Sequence, residues 1–467
     1  MAASEPGRHG GAKSEWGRGG GGTLPGDGGI RLEFVDLGCK VNQAESESWA
    51  RAFASLGGEI VGADEPADVV VVNTCSVTHV ADRKSRQALR AAKRRNPEAL
   101  VVATGCYSSV EEDIAGLVPE VDIVVPQSDK DLLVSRVAFA CSERGRPLGA
   151  KARGAKAFSL RTRAFVKVAD GCDRHCSFCI VPIARGRPRS RPIEDVLADV
   201  RARAAEGYPE IVLTAVRLGL YGRDLPEPSS LVDLVSLCLD ETDGPRFRLS
   251  SLEPDELTTE LVGLWPLAGG RLCRHVHMAL DSGSDAVLAR MRRRYSSGRY
   301  AEAVHTLRAT VPEMAVTTDV IVGFPGETEA QFEETVAFVE SMRLAQVHVF
   351  PYSARPGTAA AKLDGQVPPR ERERRCALML EVASRCARRH REGLVGSVRS
   401  VLYEEPADLT GRAWRGLTDD YVRVVADGDA TLRGRIALTA ITSTTDDVAL
   451  GELRPADGSI TRRGACL

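Results

Sequence analysis

Between residues 30 and about 141, short apolar runs alternate with amphipathic stretches. Residues 30–37, 68–72, 100–104 and 121–125 are short, largely apolar runs of strand length and are the candidate strands. Between them, residues 45–56, closed by Gly57 and Gly58, and 80–95, stopped by Asn96 and Pro97, repeat apolar positions at helical spacing. Strand and helix in alternation predict an open α/β domain with a parallel sheet. The alternation restarts at Ala164 and gives six strands, at residues 165–169, 211–216, 246–250, 275–280, 315–322 and 346–351, joined by helices such as 193–206 and 329–344. Six such units predict a partial (β/α)6 barrel with its site at the carboxyl ends of the strands. After Gly393 the period falls to two, at residues 398–403, 421–425 and 436–441, which predicts a small all-β barrel or sandwich.

The chain then divides into a Gly-rich tail (1–29), an N-terminal α/β domain (30–142), a linker (143–157), a barrel core (158–391), a β-barrel module (392–455) and a tail (456–467). Eleven glycines among the first 29 residues cannot repay the entropy of ordering, so that tail is expected to be disordered. A hydrophobic share of 43% and a charged share of 27% over 467 residues fit a soluble globular chain, and no apolar run is long enough to span a bilayer. The N-terminus lacks the basic-then-apolar pattern of a secretory signal, so a cytoplasmic location is expected. Its 12 cysteines then belong to a reducing compartment, where clustered ones read as metal-binding or catalytic. Net charge is only −2, so nucleic-acid binding has to come from local patches.

Just past the first barrel strand stands Gly171-Cys172-Asp173-Arg174-His175-Cys176-Ser177-Phe178-Cys179, a Cys-x3-Cys-x2-Cys spacing. Zinc normally takes a fourth ligand, which His175 would supply only through a sharp backbone turn. Three thiolates suit a 4Fe-4S cluster with one iron left open. A second trio lies in the N-terminal domain, where Cys39, Cys75 and Cys106 each follow a predicted strand. The carboxyl ends of an open parallel sheet converge on one crevice, so these residues meet in space despite their separation along the chain. Buried core cysteines would instead fall inside the apolar runs. Cys141, Cys238, Cys273, Cys376, Cys386 and Cys466 show no ligand spacing and read as structural or incidental.

The Cys172–Cys176–Cys179 spacing, with the aromatic Phe178 before the last cysteine, resembles the radical S-adenosylmethionine superfamily. That resemblance implies that the open iron binds the amino and carboxylate groups of S-adenosylmethionine and that the reduced cluster cleaves it to a 5′-deoxyadenosyl radical. A three-cysteine α/β domain, this core and a terminal β module together resemble the methylthiotransferases over about residues 30–453. Leu37-Gly38-Cys39-Lys40-Val41-Asn42-Gln43-Ala44-Glu45-Ser46, Asn73-Thr74-Cys75-Ser76-Val77-Thr78 and Ala81-Asp82-Arg83-Lys84-Ser85-Arg86 are closest to the threonylcarbamoyladenosine tRNA branch. The terminal module resembles the TRAM domain, an RNA-binding barrel.

The resemblance implies conversion of N6-threonylcarbamoyladenosine beside the tRNA anticodon to its 2-methylthio derivative. Adenine C2 carries an unactivated hydrogen beyond the reach of a side-chain base at neutral pH, hence a radical route. One S-adenosylmethionine would supply the radical at Cys172, Cys176 and Cys179; a second would methylate sulfur held at an auxiliary 4Fe-4S cluster on Cys39, Cys75 and Cys106. A low-potential electron donor such as a flavodoxin is implied, and a monomer suffices. The family's cofactor strand is matched by Val320-Ile321-Val322-Gly323-Phe324-Pro325-Gly326-Glu327, which makes Gly323 and Gly326, with Phe178, candidate cofactor contacts; the alternative is a strand terminator that opens the next helix. Glu253 in Ser250-Ser251-Leu252-Glu253-Pro254 either touches the cofactor or caps a helix. His275 and His277 share one face of a strand and read as satisfied within the barrel interior.

Two features depart from the family. Asp281 stands where Gln is usual, and the chain from residue 400 onward holds 11 acidic against 8 basic residues, a weak balance for phosphate binding. Basic stretches elsewhere are residues 151–191, 83–95 and 370–391. Of these Arg185, Arg187, Arg189 and Arg191, beside the cluster loop, are the candidate RNA contacts. Other readings are a methylthiotransferase acting on isopentenyladenosine or a ribosomal-protein aspartate, and a non-catalytic iron-sulfur electron carrier or RNA-binding protein.

Overall fold

The computed structural model describes residues 29–149 and 161–454; the glycine tail up to residue 28, the linker from residue 150 and the end of the chain lie outside them. The protein forms two units, one running to Leu160 and taking in Ile183–Arg185, the other made of Arg161–Pro182 and Gly186 onward. Among the described residues no helix is long and apolar enough to cross a membrane.

In the first unit β1 (Arg31–Asp36), β2 (Glu59–Ile60), β3 (Val69–Thr74), β4 (Leu100–Gly105) and β5 (Ile123–Val125) form a parallel sheet in the order β2-β1-β3-β4-β5. The run of valines in β3 is explained by its two covered faces. Val69 and Val71 join Leu32, Phe34 and Phe53 on one side, while Val70 and Val72 join Leu89 and Val101 on the other. The helix α1 (Lys40–Ser55) begins five residues earlier than its apolar pattern indicates, because its first turns bury polar residues: Asn42, Glu45, Ser46 and Glu47. The helix α2 (His79–Arg95) starts at Thr78, whose hydroxyl accepts from the Ala81 N–H at 3.1 Å. The two-residue edge strand β2 carries too short a pattern to be read from sequence.

In the second unit β6 (Arg163–Lys167), β7 (Glu210–Thr214) and β8 (Arg246–Leu249) pair in the order β8-β7-β6. One residue later the chain re-pairs as β9 (Ser251–Leu252), which heads β9-β10-β11-β12 with β10 (His275–Met278), β11 (Ala315–Val322) and β12 (Gln346–Pro351). Six parallel βα units therefore run as predicted, with Val166, Leu213, Phe247, Val276, Val320 and Val347 facing the helices in one core. The terminal module is a closed barrel in the order β13-β14-β15-β17-β16, from β13 (Val398–Pro406), β14 (Ala413–Thr418), β15 (Arg423–Asp427), β16 (Ile436–Thr444) and β17 (Ala449–Leu453). Only the β15–β17 pair is parallel.

This barrel docks on the amino ends of the core strands through buried charge. Glu210, the first residue of β7, has its side chain wholly buried and binds Arg246 at 2.7 Å and Arg248 at 2.8 Å. The same guanidinium groups donate to the carbonyls of Leu417 (3.1 Å), Thr418 (3.0 Å) and Asp419 (2.9 Å). Burial opposes ionisation of Glu210, but the surrounding arginines win and hold it below the usual carboxylate range. Glu210→Ala would leave Arg248 buried without its carboxylate, so a loss of about 3–5 kcal/mol is expected in urea unfolding of the holoprotein; a change within about 1 kcal/mol would show that the carbonyls alone satisfy the arginines.

Candidate metal centres

The first unit brings Cys39, Cys75 and Cys106 together at the carboxyl ends of three adjacent strands. Cys75 and Cys106 directly follow β3 and β4, whose ends are level because Thr74 pairs with Gly105, while Cys39 precedes α1 three residues beyond β1. Burial, with help from its two neighbours, pushes the Cys75 thiol up to about 12, and burial raises Cys106 as well.

Two glycines allow the approach. Gly38 has φ +101° and a Cβ there would stand 2.9 Å from Cys75 Sγ, while Gly105 has φ +93° and a Cβ would meet the Thr74 carbonyl at 2.4 Å. Gly105→Ala is therefore expected to displace Cys106 and deplete the N-terminal site of iron; retention of full iron content in that variant would contradict this account. The Asn42 amide N–H donates to the Leu37 and Thr74 carbonyls at 2.7 and 3.0 Å, and the Cys75 peptide is held at both ends by Ser85, through the Oγ atom as acceptor at 3.2 Å and donor at 2.9 Å.

Arg185 is a correction to the sequence reading. It is not a phosphate contact: its side chain is 2% exposed. Its Nε donates to Cys106 Sγ at 3.2 Å, and its other nitrogens reach Asn42 Oδ1 at 2.5 Å and Glu45 at 3.2 and 3.3 Å. Lys130 Nζ also binds Glu45, at 3.0 Å. In sequence the alternation at 185, 187, 189 and 191 makes all four candidate RNA contacts, but the segment turns at Gly186, φ +76°. Arg187 and Arg189 are exposed. Arg191 is committed to Asp199 (2.7 Å) and to the Lys167 carbonyl (2.9 Å).

In the second unit the loop after β6 carries Cys172, Cys176 and Cys179, all partly exposed. The Cys172 N–H donates to the Gly186 carbonyl at 3.0 Å and the Arg174 N–H to Cys172 Sγ at 3.4 Å. Burial again raises all three thiols, Cys179 to about 12, with the neighbouring cysteines adding to the effect there. A cleft of about 600 Å³ lies alongside, lined by Cys172, His175, Pro182, Arg187, Leu220 and Arg223 among others.

Below this loop runs a chain of charge. Glu253, 9% exposed at its side chain, binds Arg174 at 3.3 Å, Arg217 at 2.8 Å and Arg293 at 2.8 Å. Its backbone N–H donates to Glu256 at 2.9 Å at the start of the 3-10 turn Pro254–Glu256, which is the capping arrangement. Arg293 in turn pairs with Asp281 and lies 5.6 Å from the Phe178 ring centre. Phe178 packs edge-on to Phe324 at 6.5 Å. Gly323 and Gly326 shape the turn after β11, with φ +71° and +75°, and the Gly323 N–H donates to Glu327, which Arg375 holds at 2.8 Å. The basic helix Pro369–Glu392 is largely spent on such pairs, through Arg374, Arg375, Arg385 and Arg388.

Among the described residues only His277, Asp319 and His348 bring three His, Cys or acidic ligand atoms within 4.8 Å of one another. Neither cysteine trio is drawn that close. The two histidines and Asp319 form a group in which His277 Nε2 lies 3.3 Å from Asp319 and Nδ1 3.1 Å from Thr317 Oγ1.

Sequence reasoning missed Lys130, Arg217 and Arg293. Asn42 and Glu45 stood inside a quoted motif, yet nothing in their spacing showed that they face the cysteines. Of the six cysteines outside the trios, Cys141, Cys238 and Cys386 are core residues, Cys273 is buried, Cys376 is partly exposed, and Cys466 lies outside the described residues.

The Radical SAM superfamily model matches residues 166–339, and that of the uncharacterized protein family UPF0004 matches 31–126. The threonylcarbamoyladenosine tRNA methylthiotransferase MtaB of Bacillus subtilis is 36% identical over 423 residues, 88% of this chain and 93% of that one. Its namesake from Thermotoga maritima is 37% identical over 80% of this chain and 86% of its own. The tRNA-2-methylthio-N(6)-dimethylallyladenosine synthase of Syntrophotalea carbinolica is 34% identical over 89% and 98%. In fold, the radical S-adenosylmethionine methyltransferase TsrM from Kitasatospora setae matches with a TM-score of 0.53 at 16% identity, over 71% of this chain and 77% of that one.

Proposed function

Because the chain belongs to the radical S-adenosylmethionine tRNA methylthiotransferase family, we propose that it is the member that converts N6-threonylcarbamoyladenosine beside the anticodon to its 2-methylthio form. It is a transferase acting on tRNA. The observation that carries the methylthiotransfer chemistry is the pair of three-cysteine sites, each at the carboxyl end of a parallel strand and each with one ligand too few to close a 4Fe-4S cluster. The names of the relatives with 36 and 37% identity support the choice of nucleoside.

Cys172, Cys176 and Cys179 would hold one cluster and Cys39, Cys75 and Cys106 the other. Bound there, the clusters and two molecules of S-adenosylmethionine supply a carbon radical able to take the C2 hydrogen, and a sulfur to replace it. The protein's own part is placement. Glu253 fixes Arg174, Arg217 and Arg293 below the first site, Phe178 and Phe324 give it an apolar wall, and the turn of Gly323 and Gly326 lets backbone come close. Asn42 and Ser85 lock the loops of the second. Exposed Arg83, Lys84, Arg187 and Arg189 are the phosphate contacts, which makes tRNA affinity fall with salt. A low-potential donor such as a flavodoxin delivers the electrons.

The test is mass spectrometry of nucleosides from total tRNA of a strain lacking the gene, with and without the wild-type gene restored. Loss and recovery of 2-methylthio-threonylcarbamoyladenosine is expected. Loss of the isopentenyladenosine mark instead would overturn the substrate, and no change in any methylthio nucleoside would point to a protein substrate.

A further inference from the structure

Arg185 is held more tightly than a surface contact requires. It is the first of four alternating arginines, at 185, 187, 189 and 191, and the one of the four that belongs to the N-terminal unit. Its guanidinium is clamped by two acceptors, Asn42 Oδ1 at 2.5 Å and Glu45 at 3.2 and 3.3 Å, and the clamp leaves Nε aimed at Cys106 Sγ, 3.2 Å away. Both clamping residues are on the first two turns of α1, the helix that starts immediately after Cys39. Asn42 Oδ1 also accepts from the Cys39 thiol at 3.6 Å. One amide oxygen and one guanidinium thus link two of the three cysteines.

A guanidinium does not lose its proton in proteins, so the charge beside Cys106 is permanent, and burial keeps water from screening it. We propose that Arg185 is a positioning residue of the auxiliary cluster, aiming an N–H at the Cys106 sulfur and raising the reduction potential of the cluster held there. The inference rests on the reading of Cys39, Cys75 and Cys106 as cluster ligands. The physical basis is that reduction adds negative charge to the cluster and its sulfurs. A hydrogen bond and a buried cation at a ligating sulfur stabilise that added charge, and a buried carboxylate opposes it. Glu45 is therefore not neutral scaffolding: it orients Arg185 while its own charge pulls the potential the other way.

The two residues make opposite predictions, and a purely structural role for either would not. The full chain with Cys172, Cys176 and Cys179 all replaced by Ala isolates the auxiliary cluster. Its midpoint is read by electron paramagnetic resonance during anaerobic reductive titration, with iron content measured in parallel. Arg185→Met is expected to move the midpoint to more negative values, Arg185→Lys to move it less, and Glu45→Gln to move it to more positive values, all with iron content kept. An unchanged midpoint in Arg185→Met at full iron content, or shifts of the same sign in Arg185→Met and Glu45→Gln, would overturn the role. Should Arg185→Met lose its iron, Glu45→Gln decides alone, and an unchanged or more negative midpoint there overturns it. If the background with Arg185 intact binds no iron, the cluster reading itself fails and takes this one with it.

Discussion

Cys75→Ala is expected to abolish 2-methylthio-threonylcarbamoyladenosine formation while leaving reductive cleavage of S-adenosylmethionine intact. Cys75 is 7% exposed, its peptide is gripped at both ends by Ser85, and a Cβ on Gly38 would collide with its sulfur. Among the described residues no fourth cysteine stands at these strand ends, so only Cys39 and Cys106 remain and the auxiliary cluster is lost. Iron should fall from about eight to about four per chain. The fold should survive, because removing one sulfur beside α2 costs on the order of 1 kcal/mol. The core trio lies in the other unit and keeps its own ligands, so 5′-deoxyadenosine should still be released, now uncoupled from product. Anaerobic turnover with tRNA, with both nucleosides quantified, checks this. Product formation by the Cys75→Ala enzyme at more than about one hundredth of the wild-type rate would show that the sulfur is not delivered from this site.

That separation of roles was legible in sequence where chemistry has a local signature. Three thiols in eight residues, and three more each placed just after an apolar run, survive any uncertainty in the strand boundaries. Long apolar periods were equally robust: residues 315–322 and 346–351 are the strands observed. What could not be read was polar burial. The first turns of α1 carry Asn42, Glu45, Ser46 and Glu47 inward, so the apolar period that marks a helix is absent there. Lys130 reaches Glu45 across 85 residues of sequence, and no spacing rule connects them. The arginines failed in a related way. All four stood as candidate RNA contacts, but a left-handed glycine at 186 redirects the chain, and Arg185 and Arg191 are consumed by carboxylates that a charge count cannot locate. Likewise the terminal barrel's strands at Ala413–Thr418 and Ala449–Leu453 are short and broken by glycine, which hides their period.

The second large effect concerns Asp281, a buried carboxylate just past the strand His275–Met278. It is 3% exposed, has φ +60°, and is fixed by its N–H to the Asp319 carbonyl at 2.9 Å and by its own carbonyl, which accepts from Ile321 at 2.9 Å. The backbone cannot turn the carboxylate out to water, so its charge is tolerated only because Arg293 pairs with it. Arg293 is shared, since it also holds Glu253 at 2.8 Å and covers the Phe178 ring. Arg293→Met would strand Asp281, though Glu253 keeps Arg174 and Arg217. The expected cost is about 3–5 kcal/mol in urea unfolding, together with loss of 5′-deoxyadenosine release, because the loop between Cys176 and Cys179 loses the cation that packs on Phe178. Asp281→Asn in the same chain removes the stranded charge. The double variant should therefore regain stability over Arg293→Met, with a coupling of roughly 0.5–3 kcal/mol, yet stay deficient in cofactor cleavage because Phe178 is still uncovered. If the two substitutions were simply additive, the pair would carry no coupling, and the arginine demanded by the carboxylate at 281 would be Glu253's partner alone.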